Sequence, residues 1–446
     1  MKKEAISLSD HFSYGRLIRF TIPSIITMIF VSIYSVVDGF FVSNFVGTTP
    51  FAALNLIMPF VMIFSAVGFM LGSGGSALVA VKLGMGEKKA ANEIFSLIIY
   101  TSLFLGLVFF VLGEFATPTV ARLLGASDDM LPYCVIYARI CLIGIPAFML
   151  QNTFQTFLIT AEKPKLGLVV TIIAGVTNMI LDALFMGVFG WGLWSAALAT
   201  IIGQFIGGII PMLYFLRPNS SRLRLGRTHI MKDVLLKATT NGSSEFLSNI
   251  SMSVINMIYN FQLMRFVGEN GVSAFGVIMY TNFVFVATFI GYSMGVSPIS
   301  GYNLGAGNFD ELKNVFRKSL KMIGTAGIVM TALAVSFAGP LASIFASHNA
   351  ELLALATGAI RIYSLSFLFM GFNIFGSAFF TAMNNGFISA MISFLRTLVF
   401  QVIALLGLPL IFGVDGIWSA VVFAELCALC VTIGCFVKNR NRYHYA

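Results

Sequence analysis

The sequence predicts an all-α polytopic membrane protein, with twelve transmembrane helices in two six-helix lobes related by a pseudo-two-fold axis along the membrane normal. Composition gives the class: of 446 residues, 58% are hydrophobic and 10% charged, with 45 Phe, whereas soluble domains carry about 25% charged residues. The spacing of apolar runs gives the count. Stretches of about 20 residues, the length that crosses a hydrocarbon core, are entered near Leu17, Phe51, Ile94, Leu131, Leu166, Gly192, Ala238, Val272, Leu320, Leu352, Phe387 and Gly416. Each run is far longer than a tilted barrel strand, and backbone groups in lipid must be satisfied within their own segment, so all are helices. An internal repeat gives the two lobes. "VGTTPFAALNLIM…LGMGEKKAANEIF" from position 46 aligns without a gap on "VGENGVSAFGVIM…LGAGNFDELKNVF" at an offset of 221. "FGWGLWSA" at 189 returns as "FGVDGIWSA" at 412, and Tyr-Ala-Arg-Ile at 137 as Ala-Ile-Arg-Ile at 359. Repeats of six helices, an even number, share one orientation, which is a transporter signature.

Taken in order, the start "MKKEAISLSDHFSYGRLIRF" is basic like a signal peptide, but its apolar run exceeds 20 residues and no small-residue cleavage site follows, so it reads as an uncleaved first span. The expected N-lobe is 1–215 and holds the first six spans. The sixth carries Gly203 and Gly207 in the GxxxG spacing that lets helices pack closely. Positions 216–237, "LRPNSSRLRLGRTHIMKDVLLK", are the expected basic linker. The C-lobe, 238–437, holds the remaining six spans, and 438–446 is a tail. Arg139 and Arg361 occupy repeat-related positions and are assigned packing roles. Cys427 and Cys430, spaced C-x-x-C inside the last span without His partners, read as apolar filler.

Lys and Arg set the orientation. With a cytoplasmic N-terminus, the loops and tails on that side hold 22 of the 27 basic residues and the opposite loops hold only Arg122 and Arg265. The positive-inside rule then places both termini in the cytoplasm. The net charge of +9 is accordingly topology, not nucleic-acid binding.

Enzyme chemistry finds no footing. "GYSMG" at 291–295 matches G-x-S-x-G but lies in a helix and not between a strand and a helix. All four His (His11, His229, His348, His444) fall in loops or tails, so no His-based triad or metal cluster forms at membrane depth. "GSGG" at 72–75 and "LGMG" lack the Lys-Ser/Thr of a phosphate loop.

Ionisable residues at membrane depth are costly and mark ion or substrate paths. Asp182, in "NMILDALF", comes 17 residues after Lys165, and Asp38, in "VVDGFF", 19 after Arg19. At about 1.5 Å per residue both lie ~25 to 28 Å from the inner edge. Asn178 shares a helix face with Asp182 one turn away, and Thr200 enters the same outer half on the returning sixth span. Both carboxylates sit in the C-terminal part of their helices, where the partial negative charge disfavours an anion. A Na⁺ held by several oxygens, or a proton, relieves that repulsion. The competing reading is that Asp182 only accepts hydrogen bonds from Asn178 and headgroup water. Glu425, ten residues after Asp415, falls near the midplane on the last span with Arg396 at a matching depth on the one before, and the two are expected to form a structural ion pair, since a lone buried charge costs more than a paired one.

The opening "FTIPSIITMIFVSIYSVVDGFFVSNFVG", with "LGMGEKKAANE", "LGASDDMLPYCVIYARI", "NMILDALF" and "GLWSAALATIIGQ", resembles the multidrug and toxic compound extrusion (MATE) family, in its bacterial MepA-like branch, over essentially the whole chain. The resemblance implies a V-shaped, two-lobe antiporter in the bacterial cytoplasmic membrane that exports lipophilic or cationic drugs by lobe rocking on a Na⁺ or H⁺ gradient. It places the coupling cation at Asp38, Asn178, Asp182 and Thr200. Tyr137 matches a Tyr near that site, and Pro23 the proline at which the first helix bends. Gln155 and Glu245 are further candidates for the substrate path. The chain departs from branches with acidic coupling residues on helices 7 and 10, having only Glu245 near the inner end of helix 7. The expected partners are amphiphilic small molecules and membrane lipid, around a monomer without a cofactor. The alternative is a flippase for a lipid-linked precursor, which requires a cationic central cavity.

Overall fold

The computed structural model describes residues 6–346 and 349–446; His348 lies outside them. No strand occurs among the described residues. The first half is built from α1 (Tyr14–Phe45), α2 (Thr48–Gly84), α3 (Lys88–Leu123), α4 (Leu131–Thr160), α5 (Pro164–Asp182), which continues into a π-helical turn (Ala183–Val188), and α6 (Leu193–Leu216). The second half contains α7 (Lys232–Phe266), α8 (Glu269–Gly305), α9 (Phe309–Ser336) and a short α10 (Ala338–Ala346). Its tenth span is split into α11 (Ala350–Tyr363) and α12 (Phe367–Ala382). The eleventh is α13 (Gly386–Phe394), a π-helical turn (Leu395–Val399) and α14 (Phe400–Gly407), and the last is α15 (Pro409–Tyr443). The segment between the halves is non-helical over 217–231.

Among the described residues eleven helices are long and apolar enough to cross a membrane. Besides the short α10, the helix outside that set is α7, whose 35 residues include Asn241, Ser244, Glu245, Asn249 and Ser251. Some of its polar groups are matched inside the protein: Asn241 Nδ2 donates to Thr381 O at 2.9 Å and to Asn384 Oδ1 at 2.9 Å. Protein neighbours thus take the polarity that lipid would penalise. Outward-facing side chains such as Phe115, Leu123 and Leu410 are largely exposed, as suits a lipid-facing surface.

The halves meet through glycines. A Cβ on Gly84 would lie 2.0 Å from Tyr302 O, and one on Gly305 would lie 2.1 Å from Val81 O. Gly84 and Gly305, and likewise Val81 and Tyr302, are related by the repeat offset of 221, so the α2–α8 crossing is reciprocal about the pseudo-two-fold axis. Gly74 meets Ala238 O and Gly242 meets Met70 O in the same manner. These crossings close the end of the molecule that carries the termini. The "GYSMG" glycines pack helices as well: a Cβ on Gly291 would fall 2.5 Å from Ile25 Cα, and one on Gly295 2.8 Å from the Thr21 side chain.

Candidate functional site: a carboxyl pair in the first half

Two glycines set the geometry around α5. A Cβ on Gly175 would lie 2.5 Å from the Phe30 ring and 3.3 Å from that of Tyr34, and one on Gly203 would lie 3.0 Å from Ala174 O and 3.4 Å from Asn178 Cβ. With only hydrogen at these positions, α1 and α6 close on α5 from two sides at the level of Asn178. One turn further, α5 ends at Asp182 and gives way to the π-helical turn, a local widening that recurs at functional positions.

Asp38 and Asp182 are brought together there as neighbours close enough to interact electrostatically. Asp182 is fully buried and Asn178 nearly so. Both oxygens of Asp182, both polar atoms of the Asn178 amide and Oδ1 of Asp38 have no hydrogen-bond partner. Among the described residues, neither carboxylate is ion-paired. Asn178 therefore does not donate to Asp182, and Asp182 does not reach the surface. Thr200 Oγ1 donates to Ala196 O of its own helix at 3.0 Å. Tyr137 is buried beside Cys141, Asp38 and Asp182, and its hydroxyl donates to Met58 Sδ at 3.8 Å. Tyr34 also neighbours Asp38.

Leaving several buried polar atoms unmatched costs roughly 1 to 3 kcal/mol each. Two carboxylates with an amide oxygen beside them are donors of the kind a hard cation takes, and two neighbouring carboxyls can equally share one proton. The residues present fit either ion.

Pro23, Gln155 and Glu245 are not part of this cluster. Pro23 lies 15 residues before Asp38, about 22 Å along α1; its carbonyl accepts from Thr27 Oγ1 at 2.7 Å. Gln155 Nε2 donates to Met28 Sδ at 3.4 Å and lines a cavity with Ser24, Thr27 and Met294. Glu245 lines an adjoining cavity with Ser73, Ser76, Thr156 and, again, Met294. The two cavities share Met294, and the second is lined from both halves of the chain.

In the second half Arg396, on the π-helical turn, donates through Nη1 to Glu425 Oε1 at 3.0 Å. Asn373 Nδ2 donates to Glu425 Oε2 at 2.8 Å, and Thr432 Oγ1 to Asn373 Oδ1 at 2.8 Å. Each oxygen of this carboxylate thus has a partner. Asn373 and Thr432 escaped the sequence reading although each is a polar residue inside an apolar run. Arg139 pairs with Glu114 at 3.4 Å, another partner that the apolar run around Glu114 offered.

A duplicated bundle of membrane-spanning helices, with an unsaturated carboxyl pair in one half and a polar space between the halves, defines a membrane carrier. The MatE family model matches the chain twice, over residues 23–184 and 246–406. The chain belongs to the MatE family of membrane transporters. It is 23% identical to the multidrug export protein MepA of Staphylococcus saprophyticus, over 96% of this chain and 95% of that protein. It is 24% identical to an FAD transporter of Shewanella oneidensis, over 74% of each chain. Among solved structures, an outward-facing MATE family multidrug resistance transporter superposes with a TM-score of 0.91 at 23% identity, over 100% of this chain and 99% of that one.

Proposed function

We infer that the chain is a secondary active exporter of lipophilic or cationic compounds in the bacterial cytoplasmic membrane, both termini inside, driven by inward movement of Na⁺ or H⁺. The observation that carries this reading is the buried, unpaired carboxyl pair Asp38–Asp182 with the unpartnered Asn178 amide beside it. In an ion-coupled carrier this site binds the ion from outside and releases it after the lobes rock, so the cost of the unmatched oxygens is offset only in the loaded state. The full-length relative that exports multiple drugs supports the direction of transport. The substrate charge is supported by the central space, where Glu245 is the ionisable residue lining either cavity; a flippase for a pyrophosphate-linked lipid needs cationic groups there.

The test is export of a cationic dye by purified protein in liposomes with a Na⁺ or a proton gradient imposed singly. Transport under at least one gradient, lost in Asp182→Asn and in Asp38→Asn, is the expected result. Wild-type rates in Asp182→Asn under both gradients would remove the proposed site.

A further inference from the structure

Ahead of α1, residues 7–12 form a hook held at two points, one in each half of the molecule. Ser7 and Asp10 close it into a turn, with Asp10 N donating to Ser7 O at 3.1 Å and Ser7 N to Asp10 Oδ2 at 3.1 Å. On one side Glu162, in the connection between α4 and α5, accepts from Leu8 N at 2.7 Å and from Ser7 Oγ at 2.9 Å. On the other side Glu311, in the first turn of α9, accepts from Phe12 N at 2.8 Å and faces His11 Nδ1 at 2.6 Å. Each carboxylate thus grips a main-chain N–H of the hook, the two gripped residues only four apart. Supporting contacts come from both sides: Arg222 of the linker lies 3.3 Å from Glu162 and donates to Ser7 Oγ at 2.7 Å, while Asn314 and Lys318 of α9 donate to Phe12 O at 3.0 and 2.7 Å. Leu8 and Phe12 are fully buried, joining a core that contains Ile159 of α4 and Leu312 and Val315 of α9.

We propose that residues 7–12 are a gate latch of the transport cycle, with Glu162 and Glu311 as its two catches, holding the halves closed on the side of the termini. Four residues of chain reach about 14 Å when fully extended, and the Ser7–Asp10 turn shortens that. The catches therefore cannot separate much beyond their present positions while both hold. Opening that side of the carrier requires one grip to break, exposing a carboxylate, a backbone N–H and an apolar side chain together. The latch therefore weights the equilibrium toward the form closed on the termini side, and its release accompanies opening there. The proposal rests on the alternating-access reading above, but its test needs neither substrate nor gradient.

The experiment uses the full chain in lipid nanodiscs, native cysteines replaced, with spin labels at Lys165 and Arg317, and distances read by double electron–electron resonance. The double variant Glu162→Ala/Glu311→Ala is expected to raise the ratio of long to short distances at least tenfold. An unchanged distribution in monodisperse protein overturns the latch. If that variant does not fold, Glu162→Gln/Glu311→Gln keeps the shape and one acceptor oxygen per side chain; a smaller shift in the same direction supports the latch and no shift overturns it. A distance shift in a protein that exports no dye under any gradient leaves the latch standing and refutes the export reading alone.

Discussion

Adding one methyl group at the α2–α8 crossing should push the closed end apart. In Gly84→Ala the new Cβ would sit 2.0 Å from Tyr302 O and 2.8 Å from Ala306 N. Both are backbone atoms, so no side chain can swing away. Restoring an ordinary carbon–oxygen contact of roughly 3.4 Å requires about 1.4 Å of separation between the helices. A radial gap of only ~0.5 to 1 Å already forfeits a quarter to a half of each dispersion contact along the interface, and overpacking of this type costs about 1 to 3 kcal/mol. At about 1.4 kcal/mol per tenfold, the closed form should lose a factor of ~5 to 150 against the form open on the termini side. Gly305→Ala should do the same from the partner helix, where the new Cβ lies 2.1 Å from Val81 O. Spin labels at the exposed positions Lys88 and Asp310 report the separation. The control is Gly434→Ala on α15, where a Cβ meets nothing within 4 Å and helix propensity adds roughly 1 kcal/mol of stability. An unchanged distance distribution in Gly84→Ala, or the same shift in Gly434→Ala, would refute the reasoning.

Three further outcomes are expected. If Na⁺ binds at the carboxyl pair, replacing K⁺ by Na⁺ at ten times its dissociation constant stabilises the wild type by about 1.4 kcal/mol, seen as a raised melting temperature; Asp182→Asn should remain folded and lose the increment, and an equal increment in the variant excludes this site. Arg396→Met strands the Glu425 carboxylate, which is 1% exposed, and should cost about 3 to 5 kcal/mol, with Glu425→Gln in the same chain recovering most of it; a single variant that melts like the wild type contradicts the pair's structural role. Reporters fused after Lys232 and at the C-terminus should both read cytoplasmic and one at Thr48 external, and an external reading at Lys232 overturns the two-lobe topology.

What the sequence made legible follows from what is costly in a membrane. Asp182 and Asp38 stand out because an unpaired carboxylate in an apolar run has no inexpensive explanation. Tyr34 did not, because tyrosine in such a run is unremarkable until its neighbour is known. A polar helix such as α7 blurs a hydropathy reading, which averages composition and does not see that Asn241 is met by Thr381 and Asn384. The hook before α1 was illegible for a different reason. "SLSDHF" has the composition of a solvated tail, and its partners lie 155 and 300 positions away in the chain, separations over which no periodicity or spacing rule operates.

The two halves share a backbone plan and a reciprocal glycine crossing, but they have diverged in how they treat buried charge. In the second half every oxygen of the Glu425 carboxylate is occupied, by Arg396 and by Asn373, and Thr432 fixes Asn373 in turn. Each oxygen of this group already has a partner, as suits the structural role expected of it. In the first half Asp182 and Asn178 occupy a buried position with no polar partner, so an arriving ion gains the whole interaction. On the ion-coupled reading proposed above, the shared frame would let the halves rock together, while the unpaired carboxyls Asp38 and Asp182 would make the first half the one that responds to the ion. On that same proposed reading, two equivalent sites would tie each opening step to two ions, whereas the one unpaired carboxyl pair would tie it to one binding event.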